Sequence, residues 1–371
     1  MINHLYIDNY RCFTNFEWKP GVLSLLLGDN GSGKSSIFDV VEALREFIVK
    51  HTETDAAFPS STLTAWDKRR EQTFELGIAG NGGQYVYRLV IDHNADIQRN
   101  RIKLERLVYD NIILYQFEED EAHLYRDNGS TGPVFPVDWS RSALGTIPAR
   151  HDNQRLTWFR KRLEHVYVLS SAPQLMRPGS DREATNPGRH FEDYVSWLRH
   201  LSNDLTFPAR LVESLDPVMD GLEGMKFEPT GESSKELRFL FDFDENGSPR
   251  EKKSFSVPFD RLSDGQRCLA ALYTGLLLAE NEECSFLWDE PDNYVSLREI
   301  QPWFSAVRDL AEERGRQHIL ISHHPELINA SAAENGILIY RDTGGPARVK
   351  PFEWQADGVS PAEIVARGWE E

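Results

Sequence analysis

The chain has 371 residues, 40% of them hydrophobic and 27% charged, with a formal net charge of −18. That length suits one large α/β domain, alone or with a smaller lobe. The negative charge argues against indiscriminate coating of nucleic acid, although a local basic groove is compatible with it. Three cysteines, Cys12, Cys268 and Cys284, are spaced like neither a metal knuckle nor a redox pair, which fits a reducing cytosol.

The first residues, MINHLYIDNYRCF, are polar where a signal peptide needs an apolar stretch. The longest nearly apolar run, Cys268 to Ala279, falls well short of the ~20 residues that span a bilayer and reads as a core helix. A cytoplasmic protein without a membrane segment is expected.

In chain order, strands are predicted at Ile2 to Ile7 and Val22 to Leu27, the second ending in a glycine-rich loop. Ile37, Val40, Val41, Leu44, Phe47 and Ile48 then recur at helical spacing. Phe74 to Ile78, Tyr85 to Ile91, Ile102 to Tyr109 and Ile112 to Phe117 read as short strands of an antiparallel patch, the first two joined by Asn81-Gly82-Gly83. Ser130 to Asp152 reads as loop. A helix around Leu156 to Leu163 leads into a strand at Val166 to Leu169, followed by a polar loop from Pro178 to Arg189. Amphipathic helices follow at Phe191 to Leu201 and near Leu211, stopped by Pro217. Leu237 to Phe243 and Ser254 to Pro258 are expected to pair across Glu245-Asn246-Gly247. The last third alternates: helix from about Gly265, strand Ser285 to Trp288, helix Leu297 to Glu312, strand His318 to Ser322. Such alternation predicts an α/β fold with a mainly parallel core sheet.

Gly28, Gly33, Lys34 and Ser35 satisfy G-x-x-x-x-G-K-[ST] between an apolar strand and an amphipathic helix. Glycines let backbone N–H groups turn around phosphates, the lysine reaches the β and γ oxygens, and the serine hydroxyl holds Mg²⁺. Asn30, Gly31, Ser32, Gly33, Lys34, Ser35 and Ser36 are therefore assigned to ATP. At the end of the strand Phe286 to Trp288, Asp289 suits the Mg²⁺ shell and Glu290 suits the base that activates water.

Further motifs make the reading specific. Leu262-Ser263-Asp264-Gly265-Gln266 resembles the LSGGQ signature of ABC-type ATPases, Asp289-Glu290-Pro291-Asp292-Asn293 their Walker B and D-loop, and Ile321-Ser322-His323-His324-Pro325 their switch-histidine motif. The chain is most similar to the RecF/SMC-like, non-transporter branch and to the ATPase part of overcoming-lysogenisation-defect proteins. Asn9-Tyr10-Arg11-Cys12-Phe13 resembles that branch's N-F-R-x-F element, and DEPDNYVS its form of the D-loop. The resemblance implies a P-loop NTPase, discontinuous in sequence. An N-terminal lobe would cover residues 1–170 with the antiparallel patch, a compact helical insertion residues 171–230, and a C-terminal lobe residues 231–371. It implies Glu290 and His323 as catalytic residues, Arg11 at the nucleotide, and Gln174 as a candidate Q-loop ligand of the metal. Ser263, Gly265 and Gln266 would complete the site of a second copy in an ATP-bound homodimer.

Two positions depart from the family pattern: Ser296 stands where aspartate or histidine is usual in the D-loop, and His324 where serine is usual. Three roles are weighed, of which a transporter ATPase subunit is disfavoured by the form of the D-loop and would require a membrane partner. Of the other two, one is an ATPase that regulates a separate effector protein, as in bacterial antiviral defence; the segment after His323 is too short for an appended nuclease domain. The other is a RecF-like, DNA-binding ATPase of repair, supported by Arg150, Arg155, Arg160, Lys161 and Arg162.

Overall fold

The computed structural model describes residues 1–94, 99–244, 252–354 and 358–368. Its centre is a six-stranded sheet in the order Val166–Leu169, Ser285–Asp289, Gln317–Ile321, Leu23–Leu27, Gly336–Arg341, Ala347–Pro351. Three adjacent strands, Ser285–Asp289, Gln317–Ile321 and Leu23–Leu27, are parallel and buried at every residue. Unbroken burial is what a strand covered on both faces demands, and it accounts for their near-continuous apolar sequences.

Two hydrophobic cores flank this sheet, and successive side chains alternate between them: Leu25 and Leu27 enter one, Leu26 the other. The first core packs the helices Tyr194–Leu201, Phe207–Leu215, Asp264–Asn281 and Leu297–Arg314 against the sheet, with Trp197, Leu272 and Trp303 fully buried. The run Cys268 to Ala279 is buried throughout in the third of these helices. Among the described residues no helix is long and apolar enough to cross a membrane. The second core packs the helices Lys34–Val49 and Gln154–Glu164 together with a second sheet. Gln317 ties the layers together: its amide donates to the carbonyls of Ile2 (2.6 Å) and Gly21 (3.0 Å), and its oxygen accepts from Ile2 N (2.8 Å) and Ser285 Oγ (2.7 Å).

The expectation of a fold organised around a mainly parallel core sheet, with an antiparallel patch beside it, is corrected by that second sheet. It has eight strands, from Phe16–Trp18 at one edge to Thr131–Pro136 at the other, and every pairing in it is antiparallel. Among the described residues it is the largest sheet, and parallel pairing is confined to the six-stranded one. Turn chemistry is the cause. Asp110-Asn111 and Glu119-Asp120 have both central residues at positive φ, as does Asn81-Gly82, so at these three turns the strand folds straight back on its predecessor. The stretch read as loop contributes the last strand, where Pro133 and Pro136 are tolerated at an edge.

The insertion is not purely helical either. Its two helices lie between the short strand Gly179–Ser180 and the strand Leu222–Pro229, both of which pair with Lys235–Asp244 in a third, antiparallel sheet. Lys235–Asp244 also pairs with Lys252–Pro258, Phe239 standing opposite Val257. The Glu245-Asn246-Gly247 turn between them lies outside the described residues.

Candidate functional site

The carboxyl ends of the three adjacent parallel strands carry the three sequence motifs, the place where open α/β sheets bind ligands. After Leu27 the loop turns through Gly28 (φ 132°), Gly31 (φ 81°) and Gly33 (φ 114°) before the helix begins at Lys34. At Gly28 a Cβ would lie 2.1 Å from the Ile339 carbonyl oxygen, so only glycine lets the loop pass.

A cavity of about 390 Å³ opens over this loop, lined by Asn30, Gly31, Gly33, Lys34, Ser35 and Ser36 from the loop side, and by Arg11, Glu290 and His323 opposite. Ser32 lines a smaller cavity, together with Gly28 and Tyr340. Lys34 Nζ donates to the carbonyls of Gly28 (2.6 Å) and Asp29 (3.0 Å), which folds the side chain over the loop. Burial lowers its pKa, against the opposing pull of Glu290, Asp29 and Asp289. Ser35 Oγ donates to Asp289 Oδ1 (3.3 Å). Burial raises the pKa of Asp289, with Arg189 acting in the other direction.

Glu290 sits at φ 53°, a strained conformation for glutamate, with its N–H bonded to the Ile321 carbonyl (2.9 Å). Asn293 Nδ2 donates to Glu290 Oε2 (2.7 Å), and His323 Nε2 lies 4.0 Å from Glu290 Oε1. Arg11, also at positive φ, donates to Ser36 Oγ (3.1 Å) and pairs with Asp39.

The signature residues line neither this cavity nor its neighbours. Ser263 caps the helix Asp264–Asn281: Gln266 N donates to its Oγ (3.2 Å), and Ser263 N donates to Gln266 Oε1 (3.0 Å). Gly265 packs so closely on the D-loop that a Cβ would lie 2.8 Å from the Tyr294 carbonyl oxygen. Gln174 is placed with the signature, its amide donating to Asp264 Oδ2 (3.2 Å), while Ser35 and Arg189 are the neighbours of Asp289.

Both departures from the family pattern have local explanations. Ser296 is spent at the start of the helix Leu297–Arg314, its N–H and hydroxyl both donating to Glu299 Oε2. His324 caps the helix Pro325–Asn335, its Nδ1 accepting from Glu326 N (3.3 Å).

Sequence reasoning missed three residues. Trp66 and Arg341 line the main cavity, with the guanidinium 5.5 Å from the ring centre. Arg189, in the polar loop, reaches the carboxylates of Asp39, Glu42 and Asp289. Neither periodicity nor a motif marks any of them.

The proposed basic cluster is largely consumed by the fold. Arg155 stacks on Tyr109 and bonds to the Asp127 carbonyl, and Arg160 bonds to the carbonyls of Gly145 and Ile147. Arg162 is buried on Ser285, and Arg150 pairs with Asp152. Among the described residues no group of three or more His, Cys, Asp or Glu is gathered that could hold a metal.

The family described as "AAA domain, putative AbiEii toxin, Type IV TA system" matches residues 23–329, a span from the P-loop strand past His323. Among solved structures, the chain is similar to an Smc head bound to the C-winged helix domain of ScpA, at 12% identity over 94% of this chain and 97% of that one (TM-score 0.55). It is also similar to an Smc head domain with an extended coiled coil bound to the C-terminal domain of ScpA, from Pyrococcus furiosus, at 12% identity over 94% and 95% (TM-score 0.50). At such identity the likeness is one of fold. No curated protein matches the chain.

Proposed function

The chain belongs to the AAA-domain family described as "AAA domain, putative AbiEii toxin, Type IV TA system", and from that premise we propose that it is an ATPase whose two copies associate on ATP and so regulate a separate effector protein. The observation that carries this reading is the division of the motifs. Lys34, Ser35, Glu290 and His323 surround one cavity, while Ser263 and Gly265 stand outside it. A hydroxyl and N–H groups at a helix start suit an anion. A second copy offering them would close the site around the terminal phosphate.

Ser35 and Asp289 offer two oxygens 3.3 Å apart, a donor set that suits Mg²⁺ when phosphate oxygens and water complete its shell. That ion would neutralise charge on the phosphates. Lys34 would exchange its two carbonyl partners for phosphate oxygens. Glu290, oriented by Asn293, would take the proton of the attacking water, and His323 would contact the terminal phosphate from beside it.

The family's description and the partner-bound Smc heads lend support to a separate protein partner. Antiviral defence is the setting we favour.

Glu290→Gln tests the chemistry. It should retain nucleotide binding, lower turnover by roughly 100-fold or more, and accumulate a dimer on size-exclusion chromatography with ATP. Hydrolysis at the wild-type rate would remove Glu290 from the role of base. Co-purification of the Glu290→Gln chain with the product of a neighbouring gene tests the partner, and a chain fully active alone would refute it.

A further inference from the structure

Arg189 forms a bridge that neither the motifs nor the family match assigns. Its Nη1 donates to Asp39 Oδ1 (2.6 Å) and Glu42 Oε2 (2.7 Å), and its Nη2 lies 3.5 Å from Asp289 Oδ2. The other oxygen of Asp289 accepts from Ser35. Asp39 is shared with Arg11, which lines the cavity, so a continuous ion chain runs Arg11, Asp39, Arg189, Asp289. Burial works against the Arg189 charge, but the carboxylates of Asp39 and Glu42 outweigh it and raise its pKa.

The backbone of Arg189 is tied toward the signature helix. Its carbonyl accepts from Ser170 N (2.8 Å), beside the strand Val166–Leu169. The preceding Gly188 N donates to Asp193 Oδ1 (2.7 Å), at the cap of the helix Tyr194–Leu201. Tyr194 is fully buried and its hydroxyl lies 3.1 Å from Thr274 Oγ1, in the middle of the helix that Ser263 caps. A short path therefore joins the carboxylate of Asp289 to the signature helix.

We infer that Arg189 is a positioning residue that occupies Asp289 in the free chain, yields it when a magnesium-bound nucleotide arrives, and passes that change to the signature helix through Asp193 and Tyr194. This rests on the nucleotide-binding reading above. A divalent ion held by Ser35 and Asp289 Oδ1 would stand across one carboxylate from the guanidinium at Oδ2, and the repulsion would push Arg189 toward Asp39 and Glu42, which already hold it. Arg189 thus sets how much magnesium is needed for binding. It also gives the signature helix a cue that the site is filled.

The test is the magnesium dependence of binding of a fluorescent ATP analogue to the full chain, read beside hydrogen exchange of residues 194–201 and 264–281. In Arg189→Ala the half-saturating magnesium should fall roughly tenfold, and the nucleotide-dependent change in exchange should disappear. Arg189→Lys, which keeps the charge, should restore the wild-type half-point. Arg189→Gln, neutral yet still able to donate to Asp39, carries the same test if the alanine variant does not fold. An unchanged or raised half-point in the neutral variants, or an undiminished exchange response, overturns the inference. Failure of the wild-type chain to bind the analogue overturns instead the reading on which it rests.

Discussion

The two large sheets bury ionisable groups in opposite ways. In the eight-stranded sheet Glu105 is wholly buried and its carboxylate is met from every side by hydroxyls: Tyr87 (2.8 Å), Tyr115 (3.0 Å) and Ser142 (2.5 Å). At the carboxyl end of the six-stranded sheet Lys34 is also buried, but its partners are two carbonyls of its own loop and one side of it faces a cavity. Burial of a charge therefore does not by itself mark a site. The mark is a buried charge with only provisional partners beside open space, because such a group gains most when a ligand replaces them.

The largest effect that separates these cases concerns pH. Burial is the chief cause that pushes the Glu105 carboxyl up to about 7, from an ordinary value of 4.5, with the three hydroxyl donors pulling the other way. Between those values the folded chain holds a proton that the unfolded chain has released. Stability therefore falls as pH rises from about 4.5 to about 7, and is flat above. The loss is on the order of 3 kcal/mol. Denaturant unfolding of Glu105→Gln at pH 5 and pH 8 should show this component gone, with nucleotide binding unchanged. A pH slope equal to that of the wild type would show that Glu105 does not titrate in this window.

Lys34→Ala should show the converse. Removing charge-assisted bonds to phosphate worth ~1.5–3 kcal/mol should weaken ATP binding by roughly 10–100-fold. Unfolding without nucleotide should be unaffected or slightly harder, since a desolvated charge with only carbonyl partners is gone. Calorimetric titration and thermal unfolding of the same sample decide it. A large loss of stability without nucleotide would make Lys34 a structural residue like Glu105, and the contrast would fail.

What could be read from the sequence divides along the same line. The P-loop, Asp289-Glu290 and His323 are local strings at the ends of fully buried strands, so a short window carries both the strand and the chemistry. The eight-stranded sheet shows in the sequence only as a patch, because its extent depends on pairings that no window contains: Ile2–Asp8 lies against Glu71–Gly80, with Phe74 opposite Ile7. The tight turns at Asp110-Asn111 and Glu119-Asp120 lack the glycine that marked Asn81-Gly82. Arg189 was invisible for a related reason. Its three carboxylate partners come from one helix and one distant strand, and only the path of the polar loop brings it to them. Gln174 follows the strand Val166–Leu169, and its amide donates to Asp264 Oδ2 (3.2 Å).

The smallest effect bears on the signature, whose polar groups already have partners in the single chain. Ser263→Ala removes the hydroxyl that accepts from Gln266 N and should cost about 1 kcal/mol of stability. That loss alone would explain a modest defect in anything the helix does, so alanine cannot separate capping from a role at a second copy's phosphate. Ser263→Asp can. Aspartate caps a helix as well as serine does, and its charge suits the helix start, so unfolding should stay within a few tenths of a kcal/mol of wild type. The same charge placed against a phosphate would be repelled. In the Glu290→Gln background, Ser263→Asp should therefore abolish ATP-dependent dimerisation, measured by light scattering, while each chain still binds nucleotide. A dimer of undiminished stability would mean that Ser263 serves its own helix alone, and that the two halves of the motif set do not meet across copies.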